Sequence, residues 1–337
     1  MTRTPSTGSA SALPYHVPVM ADEVVRWMAD CPDGPLVDGT LGGGGHTAAL
    51  AAATPADRPL VGVDQDGAAL REARARLADA GELPQRLKLL QGSFADLRAL
   101  LDAAGVPTEH GVAGILLDLG VSSHQLDAAE RGFGLKHSDA PLDMRMDRDS
   151  QRPTAADLLD TWSEDELAQV LREFGEVQGA RGVARALKRA RAEGRLSTTG
   201  DLARVVESVQ KPRRMRPGLH PATTVFQALR IAVNDELTAL DRALSEAPEL
   251  LCEGGRLVVL SYHSLEDRRV KQAFREGERG PERPGHLPPP SEWTQRWRVL
   301  TSKPISASDE EIRVNPRARS ARLRVAERAP LVARRRP

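Results

Sequence analysis

Apolar positions along this chain fall into two alternating regimes. Short apolar runs occur at Leu36–Asp38, Leu60–Asp64, Leu87–Gln91, Gly114–Leu119, Arg256–Tyr262, Arg298–Ile305 and Ala321–Val325, and they predict seven strands. The second, fourth and fifth are nearly continuous, as in strands covered on both faces. Helical periodicity lies between them. Asp66–Ala80 is rich in Ala, Arg and Leu, and Phe94–Ala104 repeats its apolar residues at helical spacing. Ala222–Ala247 sets Val225, Leu229, Val233, Leu237, Leu240 and Leu244 on one side and predicts a single long helix. Strand and helix in alternation mean an α/β domain, with a parallel, doubly wound sheet and right-handed crossovers.

The alternation breaks between the fourth and fifth strands, where more than a hundred residues intervene. From Leu135 to Leu219 only helical patterns occur. Ser163–Glu166 is a capping box that opens one helix, Val183–Ala192 and Leu202–Val209 are two more, and Pro212 and Pro217 close the region. Residues 135–219 therefore read as an all-helical domain inserted into a sheet domain of residues 15–134 and 220–337. Met1–Pro14 is rich in Ser, Thr and Ala without an apolar core, which predicts a disordered tail and no signal peptide. Gly277–Pro290, dense in Gly, Pro and charge, reads as a surface loop.

Composition changes this picture little. The 337 residues suffice for a large core, and no apolar run approaches the ~20 residues that span a bilayer. Cys31 and Cys252 are the only cysteines, too few for a disulfide framework and without metal-ligand spacing. A cytoplasmic protein with no structural metal and no membrane partner is expected. Formal net charge is zero, but its distribution is uneven. Asp139–Glu176 holds eleven acidic and four basic residues, and Arg181–Arg216 eleven basic and three acidic. Ten basic and four acidic residues follow from Lys303 onward. The two basic blocks suit a phosphate-binding face or a pair of solvated faces.

The candidate chemistry sits at the strand ends. Val37-Asp38-Gly39-Thr40-Leu41-Gly42-Gly43-Gly44-Gly45-His46-Thr47 joins the first strand to an alanine-rich helix. Strand, glycine loop and helix N-terminus form the opening unit of a nucleotide fold. The dinucleotide fingerprint fails, because its third glycine would fall on Thr47 or Ala48. An acid at the loop entrance suits a cationic or zwitterionic ligand better than a diphosphate, so the motif leans towards S-adenosylmethionine over NAD. Asp64, closing the second strand about 20 residues on, is where such folds place the acid that binds ribose hydroxyls. Phe94, after the third strand, can pack beside an adenine or fill the core.

Asp118 ends the central fourth strand, and a polar loop follows it through Ser122, Ser123, His124, Gln125 and Asp127. Enzymes that methylate exocyclic amines often carry Asp-Pro-Pro-Tyr here, with acceptors for the amino hydrogens and an aromatic that stacks on the base. This chain keeps the acid and lacks the prolines and the aromatic. Tyr262 and His263 end the fifth strand and project near the crevice, where one can stack on a base and His263 can serve as a general base. Ser264 is the expected N-cap of the next helix, with Asp267 completing its box. The arginines alternating from Asn315 to Arg324 suit phosphate contacts or a charged edge strand.

Taken together these runs resemble the RsmH (MraW) family of bacterial ribosomal RNA small-subunit methyltransferases. The likeness covers nearly the whole chain after the tail. It rests on His16-Val17-Pro18-Val19, Asp38-Gly39-Thr40 through His46, Leu117-Asp118-Leu119-Gly120-Val121-Ser122-Ser123 and Glu130-Arg131-Gly132-Phe133. Pro141–Met146, His220–Thr223, Phe226–Arg230, His263–Arg268 and Asn315–Ser320 extend it. The resemblance implies a class I S-adenosylmethionine-dependent methyltransferase fold, Rossmann-like with a seven-stranded doubly wound sheet, and an inserted helical domain for RNA recognition. It implies methylation of the exocyclic N4 of one decoding-centre cytidine in 16S rRNA, with S-adenosylhomocysteine as product and the small ribosomal subunit as partner. Monomer and dimer stay open. The implied cofactor positions are Gly44, Gly45, His46, Thr47, Asp64, Phe94, Asp118 and Gln125. For the acid that orients N4, Asp118 competes with Asp143 and Asp38, and Tyr262 and His263 complete the catalytic candidates. Two positions depart from the family pattern: Val177-Gln178-Gly179 follows Phe174-Gly175-Glu176, and Gly43 stands where arginine is common. A methyltransferase acting on DNA or a small molecule, a non-catalytic RNA-binding assembly factor and, more distantly, an NAD dehydrogenase are the alternative classes.

Overall fold

The computed structural model describes residues 18–79, 86–210, 220–282, 290 and 292–330. The tail at 1–14, His16, Val17, Pro212, Pro217 and half of the predicted 277–290 loop lie outside them. Among the described residues eight strands form one sheet: β1 (Leu36–Asp38), β2 (Leu60–Asp64), β3 (Leu87–Gln91), β4 (Val112–Asp118), β5 (Leu251–Ser261), β6 (Trp297–Val299), β7 (Ile305–Ser306) and β8 (Arg322–Arg328). Their order is β3-β2-β1-β4-β5-β8-β6, with β7 pairing β8 off this path. β1 to β5 are parallel, as the alternation predicted, but β8 runs antiparallel to β5 and pairs antiparallel with β6 and β7. This is the class I methyltransferase arrangement, doubly wound about β1 and β4.

The expected count of seven strands is corrected to eight, because Arg298–Ile305 is not one strand. The Thr301 hydroxyl accepts the Val325 N–H at 2.8 Å in place of a ladder carbonyl. Pro304, with no N–H to donate, prevents the ladder from resuming before Ile305.

The helices are α1 (Ala21–Ala29), α2 (Gly45–Ala53), α3 (Gly67–Asp79), α4 (Leu97–Ala103), α5 (Ser123–Asp127), α6 (Ala155–Thr161), α7 (Glu164–Gly175), α8 (Ala180–Ala192), α9 (Thr199–Val209), α10 (Thr223–Asn234), α11 (Glu236–Leu250), α12 (Ser264–Arg279) and α13 (Asp309–Val314). The predicted single helix over Ala222–Ala247 is two. Asp235 turns left-handed at φ 54° between α10 and α11. Asn234 holds the break: its side chain accepts from Met146 N and donates to the Met144 and Arg230 carbonyls. Those three bonds hold the break against the apolar periodicity.

The N-cap of α12 is also corrected. His263, in extended backbone, caps the helix, and Glu266 rather than Asp267 completes the box. Asp267 is taken instead by Arg322 and Arg324 of β8. The same helix runs to Arg279, three residues into the expected loop. Gly277 sits there because a Cβ would come within 2.3 Å of the Trp297 ring.

Two cores flank the sheet. Val37, Val63, Ile115, Leu117, Leu257 and Val259 point to the α4, α11 and α12 side. Leu36, Leu60, Leu116, Val258 and Leu260 point to the other side, where Val24 and Met28 of α1 and Leu50 of α2 cover them. This alternation is the period of two expected of strands. A third core belongs to the helical unit and joins Leu158, Leu167, Leu171, Leu187 and Leu202 to Val225, Phe226 and Leu229 of α10. The helical unit therefore continues through α10, past the Leu219 boundary marked by the sequence. Capping boxes at Thr154, Ser163 and Thr198 start α6, α7 and α9, each contributing about 1 kcal/mol. Among the described residues, no helix is long and apolar enough to cross a membrane.

Candidate cofactor and substrate crevice

β1, β2 and β4 end side by side on Asp38, Asp64 and Asp118, at the carboxyl edge where open parallel sheets bind ligands. The turn after β1 is tied to its neighbours. Gly39 N–H donates to Leu116 O and Leu41 N–H to Val63 O, each at 2.9 Å. A Cβ on Gly39 would lie 2.8 Å from the Leu117 side chain and 3.2 Å from the Phe94 Cβ. Gly42 and Gly44 take φ of 49° and 75°, conformations that only glycine adopts without strain. Ala48 is the first amide of α2 with a helical acceptor, Gly44 O. The N–H groups of Gly45, His46 and Thr47 are thus left at the positive end of the helix dipole.

Asp38 is 3% exposed and holds this loop from within. Its carboxylate accepts from Thr40 N at 3.2 Å and from the Thr47 hydroxyl at 2.8 Å. Burial pushes its pKa up, against the pull of His46 and Thr47. It is not presented to a substrate.

Asp64 faces the crevice. Its two oxygens accept from Gly42 N and Asp66 N, both at 2.8 Å, which ties the glycine loop to the β2 end. Burial raises its pKa to about 6, and the two amide donors oppose the rise. Each oxygen keeps lone pairs for a further donor.

Asp118 joins three elements. Its N–H donates to the Thr40 hydroxyl at 2.6 Å, and its Oδ1 accepts the Tyr262 hydroxyl at 2.6 Å. Oδ2 lies 3.4 Å from Nε2 of buried His46, while the carboxylate side chain stays 24% exposed. Burial works against protonation of His46, but Asp118 and Asp38 outweigh it and raise its pKa. His46 Nδ1 is buried without a hydrogen-bond partner among the described residues. Burial first, then the Asp118 charge, hold the Tyr262 phenol well above its ordinary pKa. The phenol is therefore a fixed donor.

An open cavity of about 480 Å³ adjoins these strand ends. Gln65, Ser93, Phe94, Leu119 and Gly120 form one wall, and Met146, Asn234, Glu236 and Glu266 another. Phe94 also packs against the α11 core, so its two expected roles coexist. Phe94 and Gly120 both line this cavity, which supplies an aromatic face and a glycine backbone for a flat ring. With the open amides of α2, the orphaned His46 nitrogen and the Asp64 acceptors, the chain's own residues fit an adenosine bearing an amino-acid end.

Other candidates lie elsewhere. Gln125 is buried behind the β4 loop, where it accepts from Ser122 N and donates to Asp66 Oδ2. Asp143 is gripped on both oxygens by Arg145, at 2.7 and 3.1 Å, with Arg148 3.6 Å away. Among the described residues no contact joins it to Asp118. His263 turns to Glu266, with Nε2 3.1 Å from Oε1. Glu236 beside them is bound bidentately by Arg230. The Gly43 carbonyl accepts from Arg76 of α3, so an arginine reaches the loop despite the glycine.

One network had no signal in the pattern. Arg131, 3% exposed, pairs with buried Asp66 at 2.8 Å and donates to the Arg145 and Met146 carbonyls. It links the N-cap of α3, next to Asp64, to the segment entering the helical unit. Arg131 stands in a quoted motif, but its partner is 65 positions away and no local rule points to it.

The MraW methylase family model matches residues 14–329. A protein named Ribosomal RNA small subunit methyltransferase H from Pelobacter propionicus is 47% identical over 315 residues, covering 93% of this chain and 98% of that protein. One of the same name from Geobacter sulfurreducens is 47% identical over 314 residues, with the same coverage. Matched over almost its entire length, this chain belongs to the MraW methylase family.

Proposed function

We propose that this protein transfers a methyl group from S-adenosylmethionine to the exocyclic N4 of one decoding-centre cytidine in 16S rRNA, acting on the small ribosomal subunit in the cytoplasm. The names of the relatives support the ribosomal substrate. The observation that carries the chemistry is Asp118, a partly exposed acceptor at the end of β4, locked from two sides by Tyr262 and His46.

When bound, S-adenosylmethionine supplies an electrophilic methyl group on a sulfonium. The amides of Gly45, His46 and Thr47 would hold its carboxylate, with Gly44 turning the loop into the helix at φ 75°. Asp64 accepts from the ribose hydroxyls, and Phe94 packs on the adenine. Gln125 acts at one remove by holding Asp66 and the β4 loop in place.

A cytosine amino group is a poor nucleophile because its lone pair is delocalised into the ring. Asp118 accepts an amino hydrogen, which orients the nitrogen and returns electron density to it. The Tyr262 hydroxyl fixes one oxygen, so the other side of the carboxylate meets the substrate without searching rotamers. His46 Nε2, 3.4 Å from the second oxygen, sets the orientation of the carboxylate from the loop side. After transfer the nitrogen carries an extra proton, which passes to Asp118 or to solvent. Asp143 and His263, already paired, are left with supporting roles, and no step calls for a metal. The helical unit, with its basic block, binds the RNA around the target.

Asp118→Asn tests this assignment. It should leave the Kd for S-adenosylmethionine within about threefold while lowering kcat about 10²–10³-fold, the usual cost of a lost preorganised acceptor. An unchanged kcat would remove Asp118 from the chemistry.

A further inference from the structure

The helical unit carries a groove that the crevice does not use. It lies between α8 and α9 and is open to solvent. Its floor is small: Gly182, Ala186 and Ala190 line it, and a Cβ on Gly182 would meet nothing within 4 Å. Its walls are cationic. Arg185 and Arg189 stand one turn apart on α8, Arg195 follows that helix and Arg204 projects from α9. The opposite face of α8, with Val183, Ala184 and Leu187, is buried in the core, so the arginine stripe is the outward half of an amphipathic helix.

Each arginine is held at one edge by a carboxylate. Arg185 meets Glu164 at 3.2 Å and Arg189 meets Glu193 at 2.8 Å, while Arg195 also pairs with Glu193 and Arg204 with Asp201. The side chains of Arg185, Arg189 and Arg204 nevertheless remain about 70% exposed or more. A guanidinium has five donors, so one carboxylate leaves several free. Exposed pairs of this kind contribute little, and sharing the arginine with a phosphate costs little. Asp201 is further committed to the N–H groups of Ser197 and Thr198 at the start of α9. The carboxylates thus orient the arginines at little cost to their affinity for a second anion.

We propose that this groove is a docking track for the sugar–phosphate backbone of the rRNA, separate from the crevice that takes the target base. This rests on the rRNA reading above and assigns it a surface. A protein partner would want a buried aromatic anchor, and this groove has none: arginines flank small residues and two valines, Val205 and Val209. Backbone contacts of this type set position and carry no sequence information.

The test uses the full chain, small subunits lacking the methyl group and a fluorescent hairpin of the decoding-region RNA. Arg185→Glu/Arg204→Glu should raise KM for subunits tenfold or more. It should also lower the slope of log Kd against log salt by about 1.5 for the hairpin, for two lost phosphate contacts. The Kd for S-adenosylmethionine and kcat at saturating subunits should stay unchanged. Gly182→Leu, which fills the floor without altering charge and favours the helix, should raise KM severalfold with little change in slope. Arg279→Glu on α12, a single charge reversal outside the groove, should change neither.

Unchanged KM in both groove variants overturns the proposal while leaving the rRNA reading intact. An equal loss in Arg279→Glu overturns it too, because only overall charge would then matter. A raised KM for subunits with unaltered hairpin binding means that the groove docks a ribosomal protein instead. Wild-type protein that binds neither hairpin nor subunits sinks the rRNA reading and the groove together.

Discussion

Replacing Asp64 by asparagine separates its two duties. In the folded chain its oxygens accept from Gly42 N and Asp66 N at 2.8 Å each. An asparagine oxygen can satisfy only one of these donors, and its amino group must face the other. Two donors then oppose each other in a dense site, and the glycine loop loses one anchor. The variant also loses charge-assisted bonds to the ribose hydroxyls, about 1.5–3 kcal/mol for a hydrogen bond to a charged group. That predicts a Kd for S-adenosylmethionine about 10- to 150-fold weaker by calorimetry.

The pH dependence sharpens the prediction. The Asp64 pKa rises from its ordinary 3.8 to about 6, with burial the chief cause. A raised carboxyl pKa stabilises the fold below the unfolded value and loses that contribution as pH climbs towards 6. At 1.36 kcal/mol per pH unit this is at most about 3 kcal/mol. The ligand-free wild type should therefore lose stability from pH 4 to 6 relative to Asp64→Asn. Ligand affinity runs the other way, because the ribose needs the ionised acid: wild-type affinity should rise through pH 6 with proton release, while the variant stays flat. An unchanged Kd, or a variant that keeps the wild-type pH profile, would refute the reasoning.

Further expectations follow from the same network. Tyr262→Phe frees Asp118 on one side and should lower kcat about tenfold, or 1–2 kcal/mol, with S-adenosylmethionine binding intact; equal weakening of both would make Tyr262 a cofactor contact. Arg131→Met strands buried Asp66 without its cation and should cost 3–5 kcal/mol in urea unfolding; a loss below 1 kcal/mol would show that the pair is not needed for the fold. Asp235→Gly relieves a left-handed backbone between α10 and α11 and should gain about 0.5–1 kcal/mol, read as a higher Tm; a lower Tm would mean that the Asp235 side chain matters.

Much of the sheet was legible because its strands announce themselves twice. β1, β2 and β3 match the predicted ranges residue for residue, since each apolar run ends on a polar group at the crevice: Asp38, Asp64 and Gln91. The glycine loop was legible for a similar reason: few backbones other than a ligand-binding turn require so many glycines. What stayed hidden is which polar side chains meet, whether their partners are near or far in sequence. The break at Asp235 is held by Asn234 reaching Met144 and Met146, about ninety positions earlier. Asp143 looked as free as Asp118 until Arg145 closed on it. The pattern says only that one of Tyr262 and His263 can stack on a base, and gives no sign that the Tyr262 hydroxyl meets Asp118. Periodicity reports which face is buried, and it carries no information on which polar groups meet across the crevice.

The central claim is N4 methylation of a single rRNA cytidine. The most direct measurement incubates the protein with labelled S-adenosylmethionine and small subunits from cells lacking the modification, then identifies the labelled nucleoside by mass spectrometry. The account predicts N4-methylcytidine at one decoding-centre site, formed far more slowly with Asp118→Asn. No label, or label on another base or another atom of cytidine, would contradict it.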